Sequence, residues 1–426
     1  MNMEIGTEIK PRLFYGWWIV AAGFIVVGYG TGIIDLIVSQ LYSFIRELGG
    51  TASQSTVAMT IFSVISAISL LAIGPLIDRY GPRKLMFIGI TVTSITILGL
   101  PYVNSLPYIL LGTLAIGMSA GFLLPVQTAT ANWFMKRRSI ALAVICAAPI
   151  LGRFVVNLLG NQTADQVGLS KSSFLGLGFV MLIIGIPLAL AIRHRPEQHG
   201  YMPDGRVQAT KETVQPVIEK DTHLAEVNFT LRQVLRTKAF WMLTIAMGLI
   251  TGMGYFAGFR SFFLIERGFD IKTDANIFEL APLTGLVWML LFGFLGDKFP
   301  KRYLLAIAIA LQSISVLVLM AEGSNTTLCL YMLVFGFGSG RVPLILAIRA
   351  DYFGRKSFAT ITVFMGFFSG IISAGFPLFG GWILDMTGSY QTFFLLSMLI
   401  GFIAAVMFFF AKPPESPQKV SAEIES

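Results

Sequence analysis

The stretch GPLIDRYGPRK at residues 74–84 returns in a weaker form as GFLGDKFPKR at residues 293–302. The two copies are 219 positions apart, and neighbouring residues match at the same offset. Both copies lie beside long apolar runs, so the sequence predicts a membrane protein built from two related halves. The matching pairs are Gly74 and Gly293, Asp78 and Asp297, Arg83 and Arg302, Gly117 and Gly336, Gly121 and Gly340, Ala131 and Ala350, and Phe134 and Phe353.

The composition supports a membrane protein and excludes other classes. Hydrophobic residues make up 55% of the chain and charged residues 13%, whereas a soluble domain carries about a quarter charged residues. The net charge of +8 arises from Lys and Arg residues scattered over short loops. Because they form no dense patch, we exclude nucleic acid as a partner and expect the lipid bilayer instead. Cys146 and Cys329 lie in apolar segments, so no disulfide framework is predicted.

Twelve apolar segments are long enough to cross a bilayer as helices, which takes about 20 residues. The longest polar stretch, residues 193–238, falls between the sixth and seventh. We therefore predict an N-terminal six-helix half at 1–192, a cytoplasmic linker at 193–238, a C-terminal half at 239–411 and a disordered cytoplasmic tail at 412–426. The predicted spans 1 to 12 are 14–38, 54–76, 85–101, 107–131, 139–161, 172–192, 239–264, 274–296, 302–321, 327–349, 358–383 and 390–411.

The distribution of positive charge predicts the orientation of the chain. With both termini in the cytoplasm, the cytoplasmic segments hold 23 of the 31 Lys and Arg residues. The external loops then hold four, and the remaining four lie inside spans. Cytoplasmic loops of membrane proteins carry an excess of positive charge. We therefore expect a multi-pass protein of the inner (plasma) membrane with both termini inside.

The residues of the repeated loop each have a physical role, and together they resemble a family signature. Gly74 permits close helix approach, Asp78 accepts hydrogen bonds at a helix end, and basic residues anchor the loop at the cytoplasmic face. A single copy is also compatible with a charged turn that only fixes topology. The paired loops resemble the signature of the major facilitator superfamily, and the resemblance covers essentially the whole chain. The residues that carry it as a cytoplasmic gate motif are Gly74, Asp78, Arg79, Gly81, Arg83, Asp297 and Arg302.

That resemblance implies an all-α membrane fold of twelve transmembrane helices in two pseudo-symmetric six-helix bundles. The bundles are expected to be related by an axis along the membrane normal, and the protein to be monomeric. Asp78 is expected at a helix end near span 11, with Arg83 nearby. The substrate site of such repeats lies between the halves near the middle of the membrane.

Four further motifs resemble a narrower branch of the superfamily. They are YGWWIV at 15–20, NWFMKRR at 132–138, RPEQHGYMPDG at 195–205 and KAFW at 238–241. Together they look like the oxalate–formate antiporter and monocarboxylate transporter branch. That branch carries small organic anions, often with a proton or by exchange. Spans 8 and 11 lack the basic residues of its dicarboxylate exchangers, which leaves the exact anion open.

Ionisable residues inside spans are costly and usually functional. Five stand out: Asp35 in span 1, Arg153 in span 5, Arg260 in span 7, Glu279 in span 8 and Arg341 in span 10. Apart from Arg302 at the first position of span 9, spans 3, 6, 9 and 12 contain no such residue, and the resemblance places these four helices on the outside. The charges therefore fall on helices expected to border a central cavity.

Arg153 and Arg341 are the predicted substrate-binding residues. Arg153 lies about 21 Å into span 5 from the cytoplasm, and Arg341 lies about as far into span 10 from the outside. Asn157 follows Arg153 by one turn on the same helix face and is expected to share its ligand. A guanidinium offers a rigid fork that matches a carboxylate. The alternative is an arginine held by helix-end carbonyls or by a buried acid.

Asp35, Arg260 and Glu279 lie nearer the outer face. Asp35 and Arg260 occupy nearly equivalent places in their halves, so one reading pairs them across an external gate. In the other reading, Asp35 or Glu279 takes a coupling proton, because burial favours the protonated carboxyl.

These observations predict a secondary active transporter that works by alternating access. We expect proton symport or exchange of a small organic anion, most simply a monocarboxylate, with protons and that anion as partners. The alternative is a proton-driven exporter of a hydrophobic drug or metabolite. We predict no enzymatic activity, cofactor or metal, because the three histidines lie in the linker and no phosphate-binding glycine loop occurs.

Overall fold

The structure is a computed structural model, and the chain forms seventeen α-helices within the residues that it describes. Apolar helices are expected here, because a helix satisfies all of its own backbone hydrogen bonds inside a bilayer. The described residues are 14–47, 52–103, 106–119, 122–165, 168–169, 171–199, 201–205, 228–257, 260–267, 281–321 and 325–415.

Where the N-terminal half is described, it forms seven helices and one short antiparallel ladder. Strands β1 (Ala164–Asp165) and β2 (Gly168–Leu169) pair with Ala164 opposite Leu169. A 3₁₀ turn, Leu100–Tyr102, extends the third helix. The helices are α1 Tyr15–Glu47, α2 Ala52–Tyr80, α3 Pro82–Gly99, α4 Leu106–Ser119, α5 Leu123–Trp133, α6 Arg138–Thr163 and α7 Lys171–Ala191.

The described residues of the C-terminal half form ten helices, and two 3₁₀ turns, Glu197–His199 and Pro203–Gly205, lie in the linker before it. The helices are α8 Leu231–Val234, α9 Lys238–Ala257, α10 Arg260–Glu266, α11 Ala281–Gly296, α12 Lys301–Met320, α13 Asn325–Phe335, α14 Arg341–Phe353, α15 Phe358–Ala374, α16 Phe376–Thr387 and α17 Tyr390–Phe410.

The helices fall at the positions of the twelve predicted spans. Nine helical stretches of the described chain are long and apolar enough to cross a membrane. Three shorter apolar helices, Pro107–Gly117, Lys238–Gly254 and Ala281–Gly296, lie where spans 4, 7 and 8 are predicted. The predicted spans and the observed helices therefore agree in number and place.

Several spans that the hydropathy pattern predicts as continuous are interrupted. Span 10 changes from α13 to a 3₁₀ segment, Gly336–Gly340, before α14 begins. Glycine suits this segment because its neighbours approach closely, and a Cβ atom on Gly338 would overlap the side chain of Gln312. Span 11 likewise consists of α15 and α16. Broken helices are tolerated at membrane depth where protein surrounds them.

Each half has its own apolar core, and two further apolar clusters join the halves. Cys146 of α6 packs in one cluster with Met289 of α11 and Ala347 of α14. Ile77 of α2 packs in another with Val363 of α15. Both clusters lie toward the helix ends that the positive loops connect. The halves are therefore closed against each other on the predicted cytoplasmic side.

Candidate functional site

An ion pair between Asp35 and Arg153 joins spans 1 and 5. The Nε atom of Arg153 lies 3.0 Å from Oδ2 of Asp35. The pair is accessible from outside the protein, because 59% of the Arg153 side chain and 39% of the Asp35 side chain are exposed. The contact uses Nε, so the two terminal nitrogens of the guanidinium keep their N–H donors for a ligand. An exposed pair is worth about 0–1 kcal/mol, so a competing anion can replace Asp35 at little cost.

Three glycines hold spans 1 and 5 close enough for this pair to form. A Cβ atom on Gly152 would overlap the backbone of Gly28, and one on Gly32 would overlap the carbonyl group of Gly152. Asp35 follows Gly32 by three residues on the same helix face, and Arg153 directly follows Gly152. The contact of the two backbones therefore fixes where the two charges meet.

Arg153 continues the face of α6 that joins the two halves. Before it on that face, at helical spacing, come Ala143, Cys146 and Ile150, all of which pack in the cluster between the halves. Arg153 lies beyond these residues on the same face and is mostly exposed. That Arg153 faces a cavity between the halves stays a prediction.

Arg341 starts α14 and turns its side chain back along its own span. Its Nη1 atom donates a 2.7 Å hydrogen bond to the carbonyl oxygen of Gly338. Leu344, Ile345 and Ile348 share its helix face, and they pack within the core of the C-terminal half. This contact matches the alternative considered from the sequence, in which carbonyl groups at a helix end hold the arginine. A ligand shared with Arg153 stays a prediction.

The structure gives Asp35 a different partner from the one the sequence suggested. Arg260 is buried, with 3% of its surface exposed, at the start of α10. Asp35 instead pairs with Arg153 of its own half, because the glycine contact turns it toward span 5. Glu279, Gly121 and the side chain of Asn157 lie outside the described residues.

Asp78 caps the first turn of span 11. Its carboxylate accepts hydrogen bonds from the backbone N–H groups of Ala359 (3.2 Å) and Thr360 (2.8 Å). The hydroxyl of Thr360 donates a third, at 2.6 Å. A carboxylate at a helix N-terminus satisfies free N–H groups and interacts favourably with the helix dipole. Asp78 therefore connects the end of span 2 to the opposite half.

Asp297 makes the equivalent contact in the reverse direction. It accepts hydrogen bonds from the backbone N–H groups of Ser139 (2.8 Å) and Ile140 (3.2 Å), in the first turn of span 5. Burial raises the pKa of Asp297 above its ordinary value, and these two hydrogen bonds oppose the rise. Lys301 is the cation that acts on it.

The other residues of the gate motif shape the loop. A Cβ atom on Gly74 would crowd Val363 of span 11. Gly81 joins α2 to α3 at a φ of 88°, which side-chain-bearing residues rarely adopt. Arg79 lies 5.2 Å from the ring centroid of Tyr80, and Arg302 donates to the hydroxyl of Tyr303 at 2.6 Å.

The positive charge that acts on Asp78 is that of Arg195. The expected place of Arg83 beside Asp78 stays a prediction. Arg195 belongs to the linker, which returns to this loop. Because residues 78 and 195 are far apart in the chain, loop spacing alone does not reveal the contact.

Two further groups of contacts across the halves escaped the sequence analysis. Asp351, near the end of span 10, accepts from Arg138 of span 5 and lies 2.7 Å from Nζ of Lys301. Arg355 pairs at 2.9 Å with Glu197 of the linker and also donates to the carbonyl oxygen of Asn132. Glu197 lies inside the motif at residues 195–205, and that motif was the one signal in the sequence that pointed to this contact.

Other chemistry near the site is sparse. Cys146 is a buried free thiol, and the side chain of Gln127 donates to its sulfur at 3.6 Å. Within the part of the chain that the structure describes, no three His, Cys, Asp or Glu residues are grouped so as to hold a metal ion. The chemistry available at the site is therefore that of the Asp35–Arg153 ion pair.

The profile of the Major Facilitator Superfamily matches residues 20–293 and 276–425. This chain belongs to the major facilitator superfamily. The crystal structure of the superfamily transporter FucP in the outward conformation is 13% identical, with a TM-score of 0.70, and the match covers 92% of this chain and 98% of that one. The predicted all-α fold is confirmed, and the chain is a multi-pass membrane transporter rather than an enzyme.

Curated relatives within the superfamily have diverse names. The oxalate:formate antiporter of Oxalobacter formigenes is 25% identical over 86% of this chain and 84% of its own. Monocarboxylate transporter 2 of Rattus norvegicus is 22% identical over 92% and 82%. The multi-drug resistance efflux pump PmrA of Streptococcus pneumoniae is 24% identical over 87% and 90%. The superfamily thus includes relatives named for organic-anion transport and relatives named for drug export, the two functions considered from the sequence.

Proposed function

We propose that this protein is a secondary transporter of a small organic anion, most simply a monocarboxylate, by proton symport or anion exchange. The observation that carries the proposal is the exposed guanidinium of Arg153, midway through span 5 and on the helix face that packs between the halves nearer the cytoplasmic end. A guanidinium there selects an anion, and its planar fork matches a carboxylate. The names of the monocarboxylate and oxalate:formate relatives support the same class of substrate.

In this mechanism Asp35 is the counter-ion that the substrate replaces. With no substrate bound, Asp35 neutralises Arg153 at 3.0 Å. A substrate carboxylate that binds Arg153 leaves the charge of Asp35 uncompensated, and a proton on Asp35 removes that penalty. Proton and anion therefore bind together, which is symport. If the pair re-forms only after the anion leaves and no proton is taken up, the same residues perform exchange.

The cycle starts from a state open on the side opposite the positive loops. Asp78 and Asp297 connect the halves at their predicted cytoplasmic ends, while Arg153 is exposed above them. We infer that both termini are cytoplasmic and that this state faces outward. Replacement of these contacts by external ones would expose the site to the cytoplasm, as alternating access requires.

Uptake into proteoliposomes tests the proposal. Radiolabelled acetate, lactate, oxalate and formate are each offered with an inward proton gradient and, separately, with unlabelled anion inside. We expect saturable uptake of at least one anion, lost in Arg153→Ala and weakened about tenfold or more in Arg153→Lys, because a point charge does not replace the fork. Arg232→Ala, which removes an exposed arginine outside the spans, is the control. Unchanged uptake by Arg153→Ala would refute the assignment.

A second candidate is a proton-driven exporter of a hydrophobic drug or metabolite. The similarity to PmrA and the aromatic-rich spans favour it. An ethidium efflux assay in the same proteoliposomes separates the two candidates. Dye efflux without uptake of any of the four anions would replace the anion proposal with this one.

A further inference from the structure

Arg349 is a buried cation for which the described chain provides no acid. Only 4% of its surface is exposed. One terminal nitrogen lies 2.8 Å from the sulfur of Met247 in span 7, and a thioether is a weak acceptor. The Nε atom is buried without a hydrogen-bond partner. Arg349 thus has a sulfur atom where a buried guanidinium ordinarily has a carboxylate.

The acid next to Arg349 in the sequence is already engaged elsewhere. Asp351 follows it by two residues, which turns the helix by about 200° and places Asp351 on the opposite side. There Asp351 contacts Arg138 and Lys301. Around Arg349, Ile345 and Ile348 belong to the apolar core of the C-terminal half. Among the residues that the structure describes, no acid forms an ion pair with Arg349.

A buried charge without a partner is among the most costly arrangements in a protein. An arginine retains its proton even there, so it cannot avoid the cost by becoming neutral. An ionisable residue buried within a span usually marks a functional site, where a ligand can supply the missing anion. The position of Arg349 therefore points to an anion that is bound in another state of the cycle.

Arg349 lies close to the surface that must open in that state. Leu346 and Ala350, its neighbours on α14, pack in the cluster that joins the halves. Arg349 is four residues before Phe353, the end of α14, and Arg153 is fifteen residues after Arg138, the start of α6. With a rise of about 1.5 Å per residue, Arg349 lies about 16 Å nearer the predicted cytoplasmic side.

We propose that Arg349 forms a second, cytoplasmic-side subsite for the carboxylate of the transported anion. The inference rests on the proposed function of anion transport. Arg153 binds the anion from the outer side, and Arg349 binds it when the halves part at the cytoplasmic side. A small carboxylate does not span about 16 Å, so the two arginines act in succession. Met247 occupies the subsite while the cytoplasmic side is closed.

Transport measured from each side tests this assignment. Right-side-out vesicles give the outer KM and inverted vesicles the cytoplasmic KM, using whichever of acetate, lactate, oxalate or formate the wild type transports. We expect Arg349→Gln to raise the cytoplasmic KM about tenfold or more while the outer KM changes less than about twofold. Arg349→Lys should recover part of the loss. Equal changes on both sides, or no change, would overturn the subsite.

A stability measurement separates a binding role from a structural one. Arg349→Met removes the charge and keeps an apolar side chain of similar length. Without added anion, the purified variant should melt at the same or a higher temperature than the wild type, because a costly buried charge is gone. A clear fall would show that Arg349 is held by structural contacts and would refute the inference.

The two proposals fail in different ways. If the wild type transports none of the four anions, the proposed function fails and takes the subsite with it. If the wild type transports an anion and Arg349→Gln keeps the wild-type cytoplasmic KM, only the subsite fails.

Discussion

Asp78 and Asp297 perform the same task in opposite halves of the protein. Asp78 of the N-terminal half accepts two backbone hydrogen bonds from the first turn of span 11. Asp297 of the C-terminal half accepts two from the first turn of span 5. Both pairs measure 2.8 and 3.2 Å. The internal repeat therefore produces two reciprocal braces that hold the predicted cytoplasmic side closed.

The first prediction concerns these braces. Asp78→Asn and Asp297→Asn each remove a charge-assisted acceptor, which we expect to weaken closure by about 1–2 kcal/mol and to shift the balance toward the inward-open state about five- to thirty-fold. Cys146, buried between the halves, reports the shift through its reaction rate with N-ethylmaleimide in a Cys329→Ser background. Transport should slow while substrate affinity stays similar.

The double variant Asp78→Asn/Asp297→Asn should label Cys146 faster than either single variant, because the braces act on the same closed state. Loss of substrate affinity with unaltered Cys146 labelling would instead show that the loops affect the binding site and not the conformational balance.

The second prediction concerns the crossing of spans 1 and 5. Gly152→Ala introduces a Cβ atom that would overlap the backbone of Gly28, and backbone cannot yield as a flexible side chain does. We expect a cost on the order of 1–3 kcal/mol and a lower melting temperature, because spans 1 and 5 must move apart. Gly176→Ala is the matched control, because nothing lies within 4 Å of its Cβ position. Similar melting temperatures for both variants would contradict the close contact.

The third prediction concerns coupling at Asp35. Asp35→Asn should abolish uphill uptake driven by a pH gradient and still permit exchange at equal anion concentrations, because Asn neither neutralises Arg153 nor binds a proton. Asp385→Asn, which changes an exposed carboxyl near the end of α16, should behave as the wild type. Should Asp35→Asn still concentrate anion against a gradient, Asp35 is a structural partner of Arg153 and the proton is carried elsewhere.

The fourth prediction concerns His194 in the linker, which packs near Gly81. Burial, aided by the positive charge of Arg195, lowers the pKa of His194 to about 4, whereas an unfolded chain keeps about 6.5. The unfolded state therefore takes up this proton first, and stability that is present above about pH 6.5 is lost as the pH falls toward 4.

Melting temperatures between pH 7 and 4 check this expectation. His194→Asn should show a shallower loss of stability than the wild type across that window. His199→Asn should change the slope less, because the side chain of His199 is exposed. Identical slopes for the wild type and His194→Asn would show that His194 is not the titrating group.

The sequence by itself determined the fold and the locations of its main charges along the helices. Hydropathy depends only on local composition, and helix length must match the bilayer, so twelve spans follow without tertiary information. The repeat of residues 74–84 at 293–302 then identified equivalent positions in the two halves. It placed Asp78 and Asp297 at equivalent helix ends, because each repeat occupies the same place within its half.

The tertiary structure decided which charges meet. Sequence equivalence suggested that Asp35 pairs with Arg260, but the backbone contact of Gly28 with Gly152 turns Asp35 toward Arg153. Likewise, only packing shows that Arg349 is buried beside Met247. The physical reason is that an ion pair depends on a few ångströms and on the rotation of each helix about its axis. Hydropathy specifies neither quantity, whereas close packing between particular side chains and glycines fixes both.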